Sequence, residues 1–270
     1  MNARFIRRRP SRGGLKAIAR ARSKSVAFEV QAFSIAMLIA LAFWQLATFI
    51  SDGWVPSLPR ILEAFLDDLH DPVVYESIWI TFRRILITFT ASTLVGVFLG
   101  VGMALSKHLE ALVRPVVVIG LAIPDPVYVI IAILVLGTEE SSGLVAMTIA
   151  LIPFVVNIVV AGVHARDLGL DEMSGVYRFG ARRYLVEVVG RQITPALLAA
   201  ARTSFAFSWK LVVLVEALSQ PEGIGAQIYY AFRLLRPAEM IALALIFVLL
   251  MRAIDVLVFE RLERRALAWR

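Results

Sequence analysis

The sequence predicts an all-α, polytopic membrane protein with about six transmembrane helices. Of its 270 residues, 59% are apolar and only 18% are charged, and the mean hydropathy is +0.78. This composition is too apolar for an ordinary soluble domain. Six apolar runs approach the roughly twenty residues that a helix needs to cross a bilayer, and they lie at 28–50, 80–105, 113–136, 143–163, 195–218 and 238–259.

A basic tail precedes the first run. Nine of the 28 lysines and arginines fall within the first 24 residues, without interleaved aromatic residues. Such a tail is typical of an orientation signal and an anchor for anionic lipid, so we do not expect nucleic-acid binding. We predict a cytoplasmic tail at 1–27, a transmembrane domain at 28–260 and a second cytoplasmic tail at 261–270.

The basic residues also predict the orientation of the chain. With the N-terminus inside, the inner segments hold twenty lysines and arginines, and the outer segments with their borders hold five. This asymmetry predicts that both termini and the polar segment 164–194 are cytoplasmic. On the outer side, an amphipathic helix beginning near Pro59 is expected to lie along the interface.

The second and third runs carry residues that bear on helix geometry. Gly96 and Gly100 form a GxxxG pattern in the second run, which favours close helix packing over any particular dimer face. Pro115, Pro124 and Pro126 interrupt the third run. We therefore expect that helix to be kinked or broken.

The polar segment 164–194, called the Gly180 loop, separates the fourth and fifth runs. Its five arginines and four acids exclude it from the bilayer. Asp167 or Gly169 is expected to cap a short helix, and Gly180 to take a positive φ that turns the chain. A second helix is expected at about 182–192, with the fifth span starting at Pro195. Such short amphipathic helices must dock, either beneath their own membrane helices or on a partner protein.

Among the charges within predicted spans, which must face protein or water, three are candidates for a pathway or an internal ion pair. Asp125 sits between two prolines in the third, and Arg202 and Lys210 flank Trp209 in the fifth. An internal ion pair is favoured for Arg202. For Asp125 and Lys210, lining a translocation pathway and fixing helix packing remain equally open.

Several classes of activity find no support in the residues. The chain has no cysteine, its three histidines lack ligand spacing, and it contains neither a nucleophile–base cluster nor a Walker A loop. We therefore expect no metal site, no catalytic site and no ATPase site in this chain.

The order of several motifs resembles a known family. Gly180-Ala181-Arg182-Arg183-Tyr184 is followed by Pro195, Arg202, Trp209, Glu216 and Glu222-Gly223-Ile224-Gly225. In this order and spacing they resemble the permeases of bacterial ABC importers, and among them the nitrate, taurine and alkanesulfonate branch. The chain departs from that pattern at Ser174-Gly175-Val176, where relatives have Glu-Ala-Ala, and at Arg191-Gln192, where they have leucine-proline.

The resemblance implies a type I ABC importer permease fold in a bacterial inner membrane. Two copies would form the pore, each docking on an ATPase subunit that binds ATP and Mg, while an external substrate-binding protein delivers a small anion or organic acid. This chain itself would bind no cofactor. The residues that would contact the ATPase surround the central glycine: Glu172, Tyr177, Arg178, Phe179, Gly180, Ala181, Arg182, Arg183 and Tyr184. Those that would line the pathway or gate are Pro124, Asp125, Trp209, Lys210, Glu216, Gly223 and Gly225.

Two other functions compete with this one. An ATP-independent secondary transporter or channel would use Asp125 and Lys210 as its ion-coupling site. An intramembrane enzyme is disfavoured because no catalytic grouping is visible.

Overall fold

The structure, a computed structural model, describes residues 12–51 and 54–266, and of residues 12–27, 29 and 30 it describes the backbone alone. Every regular element in these ranges is a helix, which confirms the all-α prediction. The first part of the predicted basic tail, residues 1–11, lies outside the described residues, as do 267–270 at the other end.

The chain divides into two compact units, and the first comprises residues 1–58. Its helix α1 spans Arg12–Ile50, so it begins inside the predicted tail. The apolar part, Gln31–Ile50, is long enough to cross a membrane. Near the end of this helix, the Trp44 indole donates a hydrogen bond to the Pro56 carbonyl at 3.0 Å.

The second unit comprises residues 59–270 and contains the remaining described helices. In chain order they are α2 (Leu58–Asp68), α3 (Pro72–Leu105), α4 (Lys107–Ala122), α5 (Asp125–Leu136), α6 (Glu140–His164), α7 (Leu168–Val176), α8 (Ala181–Arg183), a π-helical segment (Tyr184–Gly190), α9 (Arg191–Ser219), α10 (Ile224–Arg233), α11 (Pro237–Ile254), a second π-helical segment (Asp255–Glu260) and α12 (Arg261–Ala266).

Five helices in the described part of the chain are long and apolar enough to cross a membrane. They are Gln31–Ile50, Pro72–Leu105, Glu140–His164, Ala181–Ser219 and Pro237–Ala266. The pair α4 and α5 makes a sixth if it counts as one span bent by 102°. The six predicted runs therefore correspond to these five helices and the bent pair.

The break between α4 and α5 has a specific cause. Pro124 has no N–H, so the Gly120 carbonyl loses the partner that it would have in a continuous helix. The Tyr128 hydroxyl replaces that partner and donates to the Gly120 carbonyl at 2.8 Å. The chain breaks only at Ile123-Pro124, because Pro115 lies inside α4 and Pro126 is accommodated in the first turn of α5.

The core of the second unit forms where α3, α6, α9 and α11 pack together. Met147, Leu151, Phe205 and Phe247 are among its buried side chains. Glycines allow α3 to approach α6 closely: a Cβ added at Gly96 would lie 2.6 Å from Val155. The GxxxG pattern thus packs against a helix of the same chain, as the interpretation of close packing predicted.

Helix α2 confirms that a short helix begins near Pro59, whereas its position along the membrane interface stays a prediction. Ile61 on one face is buried, whereas Leu62 is exposed. At its end, burial together with the nearby Glu239, Asp71 and Asp67 carboxylates raises the pKa of Asp68 to about 6.

Candidate functional site

The Gly180 loop begins with the helix that the sequence predicted. Asp167 is its N-cap, and its side chain accepts a hydrogen bond from the Gly169 backbone N–H at 2.8 Å. Asp171 lies in the first turn, where the helix dipole favours an acidic residue. The Gln192 side chain reaches back to the Asp167 N–H at 2.7 Å, so the two arms of the loop are joined at their base.

The turn at the centre of the loop differs from the prediction. Gly180 does not take a positive φ: its φ is −63° and its ψ is 152°, an extended conformation open to any residue. The positive φ falls instead on Arg178, at 53°. The Phe179 N–H bonds to the Ser174 carbonyl at 3.0 Å, which closes α7 one residue beyond Arg178. Gly180 instead precedes the next helix, and a Cβ at this position would meet no atom within 4 Å.

The side chains around Gly180 are largely exposed. Tyr177 is 71% exposed, and Leu185 is 59% exposed. The Arg183 guanidinium lies 4.4 Å from the centre of the Phe179 ring and 3.1 Å from the Glu187 carboxylate. This cation–π contact and ion pair orient one arginine of the loop, while its neighbours Arg178 and Arg182 project into solvent.

The second arm of the loop does not end at Pro195, which corrects the prediction that the fifth span starts there. Residues Ala181–Ser219 form one helix of 39 residues, with Pro195 inside it. The segment Tyr184–Gly190 is π-helical, and within it Val188 is buried. The second arm of the loop and the apolar span therefore belong to a single continuous helix.

The other end of this helix carries a buried carboxylate. Glu216 is fully buried, and it accepts hydrogen bonds from three donors. Arg84 of α3 donates from Nη1 at 2.7 Å, the Gly225 backbone N–H donates at 2.9 Å, and the Thr81 hydroxyl lies 2.9 Å from both carboxylate oxygens. We call Thr81, Arg84, Glu216 and Gly225 the Glu216 cluster.

The segment after α9 bends back over this cluster. Gly223 has a φ of +110°, and an added Cβ would collide with the Glu216 carboxylate. A Cβ at Gly225 would lie 2.6 Å from the Val213 carbonyl oxygen. The Ile224 N–H donates to the Thr81 hydroxyl at 2.9 Å. The missing side chains therefore allow the start of α10 to lie directly on α9.

Arg84 is the functional residue to which sequence reasoning assigned no role. It is buried, and its Nη1 also donates to the Glu222 carbonyl at 2.7 Å. Its Nε donates to Glu140 at the start of α6, at 2.9 Å, and the half-exposed Arg83 binds the same carboxylate. In the sequence, apolar residues surround Glu216 on both sides. This was the available signal that Glu216 is buried and needs a cation from another helix, because a buried acid requires one. Helix α3 supplies that cation.

The other charges predicted within spans fall into two groups. Arg202 forms the expected ion pair, with two hydrogen bonds of 3.0 Å to Asp255 and a third of 3.0 Å to Glu263. Asp125, next to Pro124 at the break, forms no hydrogen bond or ion pair with a described residue.

Lys210 also lacks an acidic partner among the described residues, and its side chain is exposed. Its Nζ lies 5.6 Å from the Phe207 ring centre and 5.8 Å from that of Trp209. Trp209 itself packs edge-on against Phe247 of α11, with ring centres 6.1 Å apart. Pathway roles for Asp125, Trp209 and Lys210 stay predictions.

Known proteins share this architecture. The profile of the family described as "Binding-protein-dependent transport system inner membrane component" matches residues 92–266. The nitrate import permease protein NrtB of Synechocystis sp. (strain ATCC 27184 / PCC 6803 / Kazusa) is 26% identical over 225 residues, which cover 80% of this chain and 81% of that protein. The taurine transport system permease protein TauC of Escherichia coli (strain K12) is 22% identical over 245 residues, which cover 87% and 88%.

Solved structures with the same fold come from two transporters. An inward-facing conformation of the MetNI methionine ABC transporter matches with a TM-score of 0.64 and 18% identity, covering 72% of this chain and 96% of that one. A chain of an amino acid ABC transporter, crystallised with histidines, matches with a TM-score of 0.57 and 19% identity, covering 72% and 94%. At these identities the likeness shows the fold alone.

Proposed function

We propose, from the premise that this chain belongs to the family of binding-protein-dependent transport system inner membrane components, that its Gly180 loop couples the membrane helices to a separate ATPase. The chain is the permease subunit of an ABC importer and has the type I importer permease fold. Family membership does not identify the surface that meets the ATPase, the assembly of the complex or the class of substrate.

The exposed Gly180 loop carries the proposal. Tyr177 is 71% exposed and Val176 is 80% exposed. If the loop packed only beneath its own membrane helices, these apolar side chains would be buried. Exposed apolar side chains next to unpaired arginines are typical of a surface that binds another protein. Only Val188 of the second arm is buried, and it serves to anchor the loop to its own chain.

The continuous helix supplies the mechanical connection. A helix of 39 residues is about 58 Å long at 1.5 Å per residue, so it spans the distance from the Gly180 loop to the Glu216 cluster. A displacement imposed on Ala181–Arg183 is thereby passed directly into the membrane. Coupling requires such an element that joins two distant sites and has two arrangements.

The assembly follows from the same premise. Two copies of the chain would enclose the pathway in a bacterial inner membrane and bind lipid, with the Gly180 loops and both termini in the cytoplasm. The excess of basic residues on that side supports this orientation. A substrate-binding protein would then deliver its cargo at the side where the Glu216 cluster lies. ATP and Mg would be bound by the ATPase and not by this chain.

Lys210 supports an anionic substrate. Its side chain is exposed on α9, has no acidic partner in the described part of the chain, and lies in an apolar span. A cation facing lipid tails costs about 2.5–3.5 kcal/mol, so we place it on the water-filled pathway between two copies. There its ammonium group would attract a small anion or organic acid.

The test is reconstitution with an ATPase that copurifies with this chain and with a candidate substrate-binding protein. ATP-dependent uptake into vesicles supports the function, and uptake that is independent of ATP would assign the chain to secondary transporters or channels. Gly180→Trp should abolish uptake but leave ATP hydrolysis, because the large ring occupies the docking surface. Gly180→Ala is the matched control and should behave as wild type, since its Cβ meets no atom within 4 Å. Full coupling in Gly180→Trp would refute the docking surface.

A further inference from the structure

We propose that the Arg84–Glu216 pair holds α3, α9 and α10 together as one rigid body, which moves as a unit when the Gly180 loop is displaced. This inference rests on the proposed coupling role of the loop and identifies Arg84 and Glu216 as positioning residues for transport. The pair is buried, α10 is bonded to both α3 and α9, and α3 and α9 meet at a second contact.

The burial of the pair makes it costly to separate. The Glu216 side chain is fully buried and that of Arg84 is 5% exposed, with 2.7 Å between Nη1 and Oε1. Buried ions are tolerated only when their hydrogen bonds are satisfied, and leaving one charge without its partner is strongly destabilising. Thr81 and Gly225 supply the remaining donors to Glu216. The pair therefore favours a fixed arrangement over one that opens in each cycle.

Helix α10 is held by the same groups. Its first residues donate to Thr81 and to Glu216, each at 2.9 Å. One turn later, the Gln227 side chain donates to the Ser77 hydroxyl of α3 at 2.6 Å. Because α10 contacts α3 and α9 through separate hydrogen bonds, it cannot move away from either helix without breaking several of them.

The contact between α3 and α9 continues deep into the helices. The hydroxyls of Ser92 and Ser204, both fully buried, lie 3.1 Å apart. Beside them, the rings of Phe89 and Phe205 meet edge to face, with centres 5.9 Å apart. Thus α3 and α9 touch at a second place, well removed from Arg84 and Glu216. Two contacts along one pair of helices prevent rotation as well as separation.

The first experiment measures coupling in the reconstituted complex. Glu216→Gln keeps the shape of the side chain but removes the charge that Arg84 requires. We expect the complex to assemble and hydrolyse ATP, with severalfold less substrate imported per ATP. Arg83→Gln is the matched control, because Arg83 binds Glu140 but does not touch Glu216, and it should keep the wild-type ratio. A wild-type ratio in Glu216→Gln, or an equal fall in Arg83→Gln, would overturn the proposal.

The second experiment tests rigidity directly and does not depend on the folding of a charge variant. The chain contains no cysteine, so Ser92→Cys/Ser204→Cys introduces the only thiols, and their side chains face each other. The disulfide is verified by loss of maleimide labelling after the protein is denatured, because both positions are fully buried in the folded chain. If α3 and α9 move together, uptake persists after oxidation. Uptake lost on oxidation and restored by a reductant would show that the helices separate, which refutes the inference. Absence of uptake by the wild-type complex would instead refute the proposed function.

Discussion

Replacement of Tyr128 by phenylalanine tests the physical account of the broken span. The Tyr128 hydroxyl donates to the Gly120 carbonyl at 2.8 Å, and Gly120 is buried. Pro124 cannot supply the usual backbone N–H, so Tyr128→Phe leaves that carbonyl without a donor. An unsatisfied buried acceptor costs about 1–3 kcal/mol, and water cannot replace the donor within the hydrocarbon region.

The assay is thermal unfolding of the purified complex, with Tyr229→Phe as the matched control. Tyr229 is 40% exposed and stacks on Phe232, so its hydroxyl is expected to contribute less than about 0.5 kcal/mol. Combining Tyr128→Phe with Pro124→Ala should reduce the cost, because residue 124 then carries an N–H that can pair with Gly120 when the helix straightens. The reasoning is refuted if Tyr128→Phe costs no more than Tyr229→Phe, or costs the same in both backgrounds.

Three further predictions concern packing and charge. Gly96→Leu should destabilise the fold by about 1–3 kcal/mol in thermal unfolding, because its Cβ alone would lie 2.6 Å from Val155; an unchanged midpoint would contradict the close packing of α3 on α6. The pKa of Asp68, about 6 when folded against an ordinary 3.8, means that the folded state binds this proton more tightly. Proton binding by Asp68 therefore stabilises the folded state, and this stabilisation is complete below pH 3.8 and is lost as the pH rises through about 6. Asp68→Asn should accordingly flatten the pH dependence of the free energy of unfolding over that window. Arg202→Gln should lower the unfolding midpoint more at low salt than at high salt, because its pair with Asp255 is partly exposed; a cost independent of salt would count against an electrostatic role.

The departure of the Gly180 turn from expectation has a local cause. A glycine near a helix end is usually the residue with positive φ, but here the chain leaves α7 two residues earlier, through Arg178. Sequence preference favours the glycine, whereas in the structure the Phe179 N–H bonds to the Ser174 carbonyl at 3.0 Å and closes α7 with Arg178 at the positive φ. Gly180 therefore leaves open space beside the turn and does not supply its positive φ.

The continuation of α9 through Pro195 has a similar explanation. Proline is favoured in the first turn of a helix, and that preference placed the start of the span there. The preceding residues instead form a wide π-helical segment that enters α9 without a break. Because Val188 in this segment is buried, packing stabilises a conformation that local preference alone does not predict.

The sequence by itself determined the class of the fold, the approximate position of the apolar spans, the interruption of the third span by prolines and the polarity of the Gly180 loop. These properties depend on composition and on short-range hydrogen bonding, which neighbouring residues specify. The sequence also singled out Glu216, Gly223 and Gly225, but it did not show what they contact.

Only the tertiary structure decided that Arg84 meets Glu216 from 132 residues away, that Arg202 is neutralised by Asp255, and that Lys210 is left without an acidic partner among the described residues. The physical reason is that a charge in an apolar helix must be compensated, whereas the identity of its partner depends on which helices lie side by side. That arrangement follows from packing over the whole chain, and no local pattern encodes it.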